Sequence, residues 1–243
     1  MLAPPMLGRT MNTTAMITGF GLVARGRHVL LTAALGLAAL LFLAAGEHWL
    51  LAVGAMAGLT VALYALSILA ILRYHPRVLL ARPDRNAFDA PLNPSRVLLA
   101  GAFTFMGASL LCLEPGAQTW PVRVVASGVM GIAGAGIWYL GWRWNGVRLT
   151  SEGLADLQPF GSLFVPWAAF DAHDPAVSIG RNQLALYFDH PELVVRRGFR
   201  PGSSHFLTAG ADADLLADVI ARYVAEPARR VAIGTETELR SLT

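Results

Sequence analysis

The sequence predicts a membrane all-α region of about four transmembrane helices in two hairpins, followed by a small α+β, mostly β domain with a C-terminal helix. Two observations carry this. The 243 residues are 55% hydrophobic and only 14% charged, with a mean hydropathy of +0.51, outside the range of ordinary soluble domains. The apolar residues also form four long uncharged runs before residue 145, and beyond it they alternate with polar ones.

Residues 1–28, with Pro4, Pro5 and the cluster Arg25, Arg27, His28, read as a mostly unstructured cytosolic leader with a short apolar piece at 15–23. Residues 29–46 carry no charge and have about the minimum length for a hydrocarbon core of about 30 Å at 1.5 Å per residue. A basic flank, an apolar run and Ala44-Ala45-Gly46 also describe a cleavable signal peptide. The second span that follows directly favours a retained helix. That span, 49–72, is the strongest in the chain, and with only Glu47 and His48 between them the two runs form an antiparallel hairpin. Segment 73–96 holds Pro76, Pro83, Pro91 and Pro94 and reads as a loop with one interfacial turn at 78–81. Runs 97–113 and 124–142 make a second hairpin, and the whole region 29–144 forms one transmembrane unit.

Arginine placement orients these helices. All nineteen basic residues are Arg, and residues 1–144 hold ten of them against four acids, whereas residues 145–243 hold nine against twelve. Nine of the first ten lie in the leader, in segment 73–96 or at Arg143, and only Arg123 lies in the opposite turns. Positive charge is retained on the cytosolic side, so both termini should be cytosolic in a multi-pass protein of the cell (inner or plasma) membrane. Trp49 and Trp120 would mark the outer interface, and Tyr74, Trp138, Tyr139, Trp142 and Trp144 the inner one. With no dense basic tract, nucleic acid is not an expected partner.

From residue 145 to 235 the pattern becomes that of a separate cytosolic domain, with 236–243 as a tail. Val147 and Leu149 alternate with Arg148 and Thr150, Ser151-Glu152-Gly153 makes a turn, and strands follow at 154–158, 163–167, 177–181, 184–188 and 193–197. Residues 211–225 then carry a helical stripe of Leu215, Leu216, Val219, Ile220 and Tyr223, with a cap at Asp212 and Pro227 beyond the end.

The order Gly146-Val147-Arg148-Leu149-Thr150-x-x-Gly153, then Pro166-Trp167, then a helix ending in Glu226-Pro227-Ala228-Arg229-Arg230-Val231-Ala232-Ile233-Gly234-Thr235 resembles the C-terminal bacterial pleckstrin-homology-like domain of small actinobacterial membrane proteins. The resemblance covers about the last hundred residues and includes no catalytic signature. It implies a strongly bent antiparallel sheet closed by one helix, a fold used to bind lipid headgroups, peptides or proteins, and fold alone assigns no activity.

None of the four apolar runs contains Asp, Glu, Lys, Arg or His, which disfavours a pump or proton-coupled carrier. Gly54 and Gly58 in the second run, and Ser127, Gly131 and Ala135 in the fourth, put small residues on one helix face and suggest packing seams, within the chain or between subunits. Asp171, His173, Asp174, Asp189 and His190 lack the spacing that fixes a metal geometry and read as turn residues. Ser203, Ser204 and His205 lack the turn that exposes a nucleophile, and the single Cys112 permits no intrachain disulfide. Neither a cofactor nor a metal is expected. Arg196, Arg197 and Arg200 form the densest basic patch of the domain and suit an acidic ligand, either anionic lipid headgroups or an acidic protein partner. The plainer reading of the three is a solvated strand face or an intradomain ion pair. The expected function is therefore a non-enzymatic membrane binding or scaffolding protein, with the competing class a small transporter or membrane enzyme using polar groups of segment 73–96.

Overall fold

The computed structural model describes residues 17–45, 48–112, 120–143, 146–200, 202–208 and 210–242. The chain divides into two units: Met1–Tyr74 with Asn93–Trp144, and His75–Leu92 with Asn145–Thr243. The expected leader up to residue 16, the turns holding Glu47 and Glu114, and Trp144 lie outside the described residues.

The first unit is helical. Helix α1 (Ile17–Arg25) meets α2 (Arg27–Leu43) at 79° across Gly26. The leader is thus ordered at its end, because Phe20 is buried and its ring meets Tyr74 edge-on at 6.1 Å. Helices α3 (Trp49–Arg73), α4 (Ser95–Cys112) and α5 (Trp120–Trp142) follow. Among the described residues, α3 and α4 are long and apolar enough to cross a membrane, and the bent pair α1 and α2 passes the same test jointly. Helix α3 is apolar on every side, yet Leu50, Leu51 and Val61 are each about 70% exposed. Such a surface needs a non-aqueous neighbour.

Helix α4 is central and packs on α2, α3 and α5. Its close approaches are made at Gly101, where an added Cβ would lie 3.2 Å from Leu63 of α3, and at Gly141 of α5, where it would lie 3.2 Å from the Arg96 carbonyl. Buried and half-buried polar side chains of the helices find partners in neighbouring helices: the Ser67 hydroxyl donates to the Ser95 carbonyl at 2.9 Å, and Trp138 Nε1 donates to Thr104 Oγ1 at 2.8 Å. Buried groups without such partners would be costly in this environment.

Among the described residues the second unit contains two antiparallel sheets and two α-helices. Strands β1 (Leu80–Arg82), β2 (Ala87–Asp89), β3 (Gly146–Thr150), β4 (Gly153–Leu157), β5 (Gly161–Pro166) and β8 (Val195–Gly198) form one sheet in the order β1-β2-β3-β4-β5-β8. Strands β6 (Ala176–Gly180), β7 (Gln183–Leu186) and β9 (Phe206–Thr208) form the second. Helix α6 (Ala213–Ala225) packs on β6 and β7 through the expected stripe, all five residues of which are buried. The Asp212 side chain accepts the Leu215 N–H at 3.1 Å, the N-cap read from sequence. Trp167, directly after β5, lies 5.8 Å from Phe170, 5.7 Å from Tyr223 and under the Arg230 guanidinium at 5.6 Å, and donates to the Thr150 carbonyl at 2.9 Å.

Two boundaries expected from the sequence are corrected. Segment 73–96 is not a plain loop, since it builds the β1–β2 hairpin, which turns at Pro83–Arg85 and at Asn86 with φ +46°. Phe88 pairs with Leu149 of β3 and is fully buried, and Asp89 receives Arg148 through two hydrogen bonds of 2.6 and 3.1 Å. Nor is 236–243 a loose tail, because it forms α7 (Glu236–Leu242). Buried Glu238 there accepts the Tyr223 hydroxyl and the Arg229 guanidinium, each at 3.2 Å. Just before it, Gly234 has φ +95°, and an added Cβ would lie 2.6 Å from the Ala87 nitrogen. Only glycine lets the C-terminal segment close against the hairpin.

Candidate functional site

The basic patch lies where β5 and β8 meet. In their register Leu163 faces Arg196, Ser162 faces Arg197 and Gly161 faces Gly198. Side chains opposite one another share a face, so Arg196 leaves the sheet on the side of buried Leu163 and Arg197 on the other side. Gly198 has φ +69°, and an added Cβ would fall 2.4 Å from the Phe160 carbonyl. This turn lets Phe199 N–H donate to Phe160 at 2.9 Å and leaves both aromatic rings outside, 63% exposed for Phe160 and 73% for Phe199. The corner therefore presents two phenylalanines beside exposed Arg197 and Arg196, whose guanidinium hydrogen-bonds the Arg200 carbonyl.

Arg200 departs from the patch. It is 2% exposed, and its Nε donates to Asp156 Oδ2 at 2.9 Å, its Nη1 to the Ser203 carbonyl at 2.9 Å and its Nη2 to the Phe206 carbonyl at 2.8 Å. Asp156, 3% exposed, stands opposite Leu163 on the core-facing side of the sheet and also accepts from Gln158 at 3.1 Å. The pair ties β4 of one sheet to the start of β9 in the other, and the intradomain ion pair is the correct reading of this arginine. It lines a cleft of about 430 Å³ shared with Gln158, Ile179, Gln183, Phe206 and Thr208, where its charge is already matched by Asp156.

The remaining candidates resolve into structural roles. Asp171 Oδ1 accepts the backbone N–H of Asp174 at 2.9 Å and of His173 at 2.7 Å, and these bonds, Asp174 first, hold its carboxyl below the usual range. Asp189 accepts Ala172 N–H at 3.3 Å, and His190 meets Glu192 at 3.1 Å. His205 N–H donates to the Ser203 hydroxyl at 3.2 Å and its ring Nδ1 lies 3.0 Å from the Leu186 carbonyl, so neither residue is arranged as a nucleophile and base. Among the described residues no group of three or more His, Cys, Asp or Glu side chains is placed to hold a metal ion.

Among the described residues, the glycines of the small-residue stripes make no close helix contact. An added Cβ on Gly54, Gly58 or Gly131 would meet nothing within 4 Å, and the Ser127 side chain lies outside the described residues. Gly131 and Ala135 line an open groove beside α2 and α4 instead. Small residues are common throughout this sequence, with 24 Gly alone, so their i, i+4 spacing carried little information. The features that sequence reasoning missed were Phe160 and Phe199, each a single apolar residue in a turn with no periodic signal. Comparison with known protein families, curated proteins and solved structures found no significant match to this chain.

Proposed function

We propose that this chain is an integral membrane binding or scaffolding protein without enzymatic activity of its own, in which α2 to α5 cross the bilayer and carry a pleckstrin-homology-like domain at the cytosolic surface. The observation that carries the reading is the pairing of β2 with β3. Strands of one sheet lie on one side of a membrane, so the chain between Asp89 and Gly146 must cross an even number of times. Helix α4 qualifies as a span, and α5 is then the return. A domain assembled from both sides of a transmembrane hairpin cannot detach from it, which suits a recruiting surface rather than a released enzyme.

The side follows from charge. The end of the helices that joins the sheet domain carries Arg25, Arg27, Arg73, Arg96 and Arg143, against Arg123 alone at the other end, which supports cytosolic exposure of the domain. The corner of Phe160, Phe199 and Arg197 pairs aromatic surface with positive charge, a combination suited to an anionic lipid surface or an acidic protein segment. The architecture of two antiparallel sheets with α6 packed on one of them is compatible with the pleckstrin-homology-like class, whose members bind such partners.

Purification of the full chain in mild detergent, with and without R197Q combined with F160A and F199A, tests the function. A stoichiometric protein partner, or selective retention on anionic vesicles, that is lost in the triple variant is the expected result. Partner-free protein with a bound metabolite would favour the transporter or enzyme class.

A further inference from the structure

Between α2 and α5, with α4 as its floor, runs a groove of about 530 Å³, within the range of small-molecule sites. Leu35 and Phe42 form one wall, Met130 and Trp138 the other, and Gly107 lies on the floor. Among the described residues that line it, the only polar side-chain groups, Thr104 Oγ1 and Trp138 Nε1, hydrogen-bond to each other at 2.8 Å and leave an apolar lining. The groove follows nine residues of α2, 35–43, and nine of α5, 130–138, about 12 Å along the axes.

The end of the groove toward the α2 N-terminus is different in kind. Trp138 stacks on Trp142 at 6.2 Å and 16°, and Trp142 meets the His28 ring at 4.3 Å. Arg27 Nε donates to the Trp142 carbonyl at 3.1 Å, and Arg143 lies over the Tyr139 ring at 5.3 Å. An apolar channel thus leads through two stacked indoles to a basic collar, while both acids of this unit, Glu47 and Glu114, fall in the sequence between α2 and α3 and between α4 and α5.

We infer that the groove and collar hold one anionic glycerophospholipid, an acyl chain lying between α2 and α5 and the phosphate facing Arg27 and Arg143. The inference rests on α2, α4 and α5 lying in the bilayer. A transmembrane helix of a second copy is a poorer occupant. It would be about 10 Å across, and the Arg27–Trp142 tie joins α2 to α5 at the collar end, so a through-going helix would have to break it. A single chain enters from the side and leaves the tie intact.

The glycines offer a test, because Gly131 and Gly134 line the groove and an added Cβ on either meets no atom within 4 Å, so a larger side chain starts into open space there. Full-length protein is extracted from membranes, reconstituted with an equal mixture of phosphatidylglycerol and phosphatidylcholine of identical chains, and its retained lipid counted by native mass spectrometry. The wild type is expected to keep one lipid, with phosphatidylglycerol preferred about fivefold or more, as one arginine at a membrane surface can give. G131L/G134L should reduce retention of both lipids about tenfold, and R27Q/R143Q should keep a lipid but lose the preference. Retention without headgroup preference, or unchanged retention in G131L/G134L, overturns the site. So does a wild-type dimer that G131L/G134L converts to monomer, which would make the groove a seat for a second copy. Resistance of the wild-type chain to alkaline carbonate extraction from membranes is read separately, and only its loss would count against the spanning helices.

Discussion

Phe88 lies directly across the sheet from Leu149, and both side chains are buried although two long apolar helices separate them in the chain. The Ala90 N–H donates to the Val147 carbonyl at 2.8 Å, so the pairing continues past the end of β2. The β domain is therefore a discontinuous unit, closed only after α4 and α5 have been made.

A fragment of residues 145–242 alone is accordingly expected to remain poorly folded, since it lacks Phe88, Leu79 and the partner of Arg148. Loss of a buried Phe costs about 3–5 kcal/mol, comparable with the stability of a small domain. Joining residues 75–92 to 145–242 through about eight Gly/Ser residues, which reach about 15 Å, should restore folding because Ala90 and Val147 are neighbours. Circular dichroism and amide exchange compare the two, and cooperative unfolding of 145–242 by itself would refute the composite core.

Arg200 and Arg197 should separate sharply. R200Q leaves Asp156 buried without its charged partner, and breaking such a pair costs about 3–5 kcal/mol. R197Q removes an exposed charge and should change stability by less than about 0.5 kcal/mol. Chemical unfolding followed by tryptophan fluorescence distinguishes them, and equal midpoints would return Arg200 to the surface patch.

How much of this was legible in the sequence depended on how local each signal was. Helix α6 was readable because Leu215, Val219, Ile220 and Tyr223 recur at helical spacing and bury one face. Strand β3 was readable because Val147 and Leu149 alternate with polar neighbours. The hairpin was not: β1 and β2 have three residues each, flanked by prolines, and Phe88 is the one large apolar side chain of β2. Its place depends on a pairing 61 positions away. In the same way, Arg196, Arg197 and Arg200 are close in sequence, but strand alternation and the left-handed turn at Gly198 send them in three directions.

The Tyr223 hydroxyl gives the domain an alkaline limit. Burial, ahead of the Glu238 carboxylate, pushes this phenol well above its ordinary value of 10.0. The unfolded chain loses that proton first, so the contribution is fully present below about pH 10 and falls as pH rises from there toward the folded-state value. Y223F should cost about 1 kcal/mol at neutral pH through the lost bond to Glu238 and should make stability between about pH 10 and 11 decline less steeply. An identical alkaline slope in the variant would show that another group sets it.

Topology offers the sharpest check on the membrane reading, because the sheet imposes a constraint that hydropathy does not. Residue 85 lies in the β1–β2 turn, and the domain's last helix, α7, packs on β1. Reporters inserted at 85 and fused after 243 must therefore report the same compartment whichever way the helices run. On the proposed topology the arginine distribution predicts that this compartment is the cytosol and that a reporter at residue 118, between α4 and α5 in the sequence, reports the outside. If 85 and 118 shared a compartment, α4 would be re-entrant and the even-crossing argument would hold with no crossings at all. If 85 and 243 fell on opposite sides, β2 could not pair with β3, and the composite domain itself would be wrong. A cytosolic signal at 85 and 243 with an external signal at 118 is the one pattern that satisfies the strand pairing, the apolar length of α4 and the placement of arginine together.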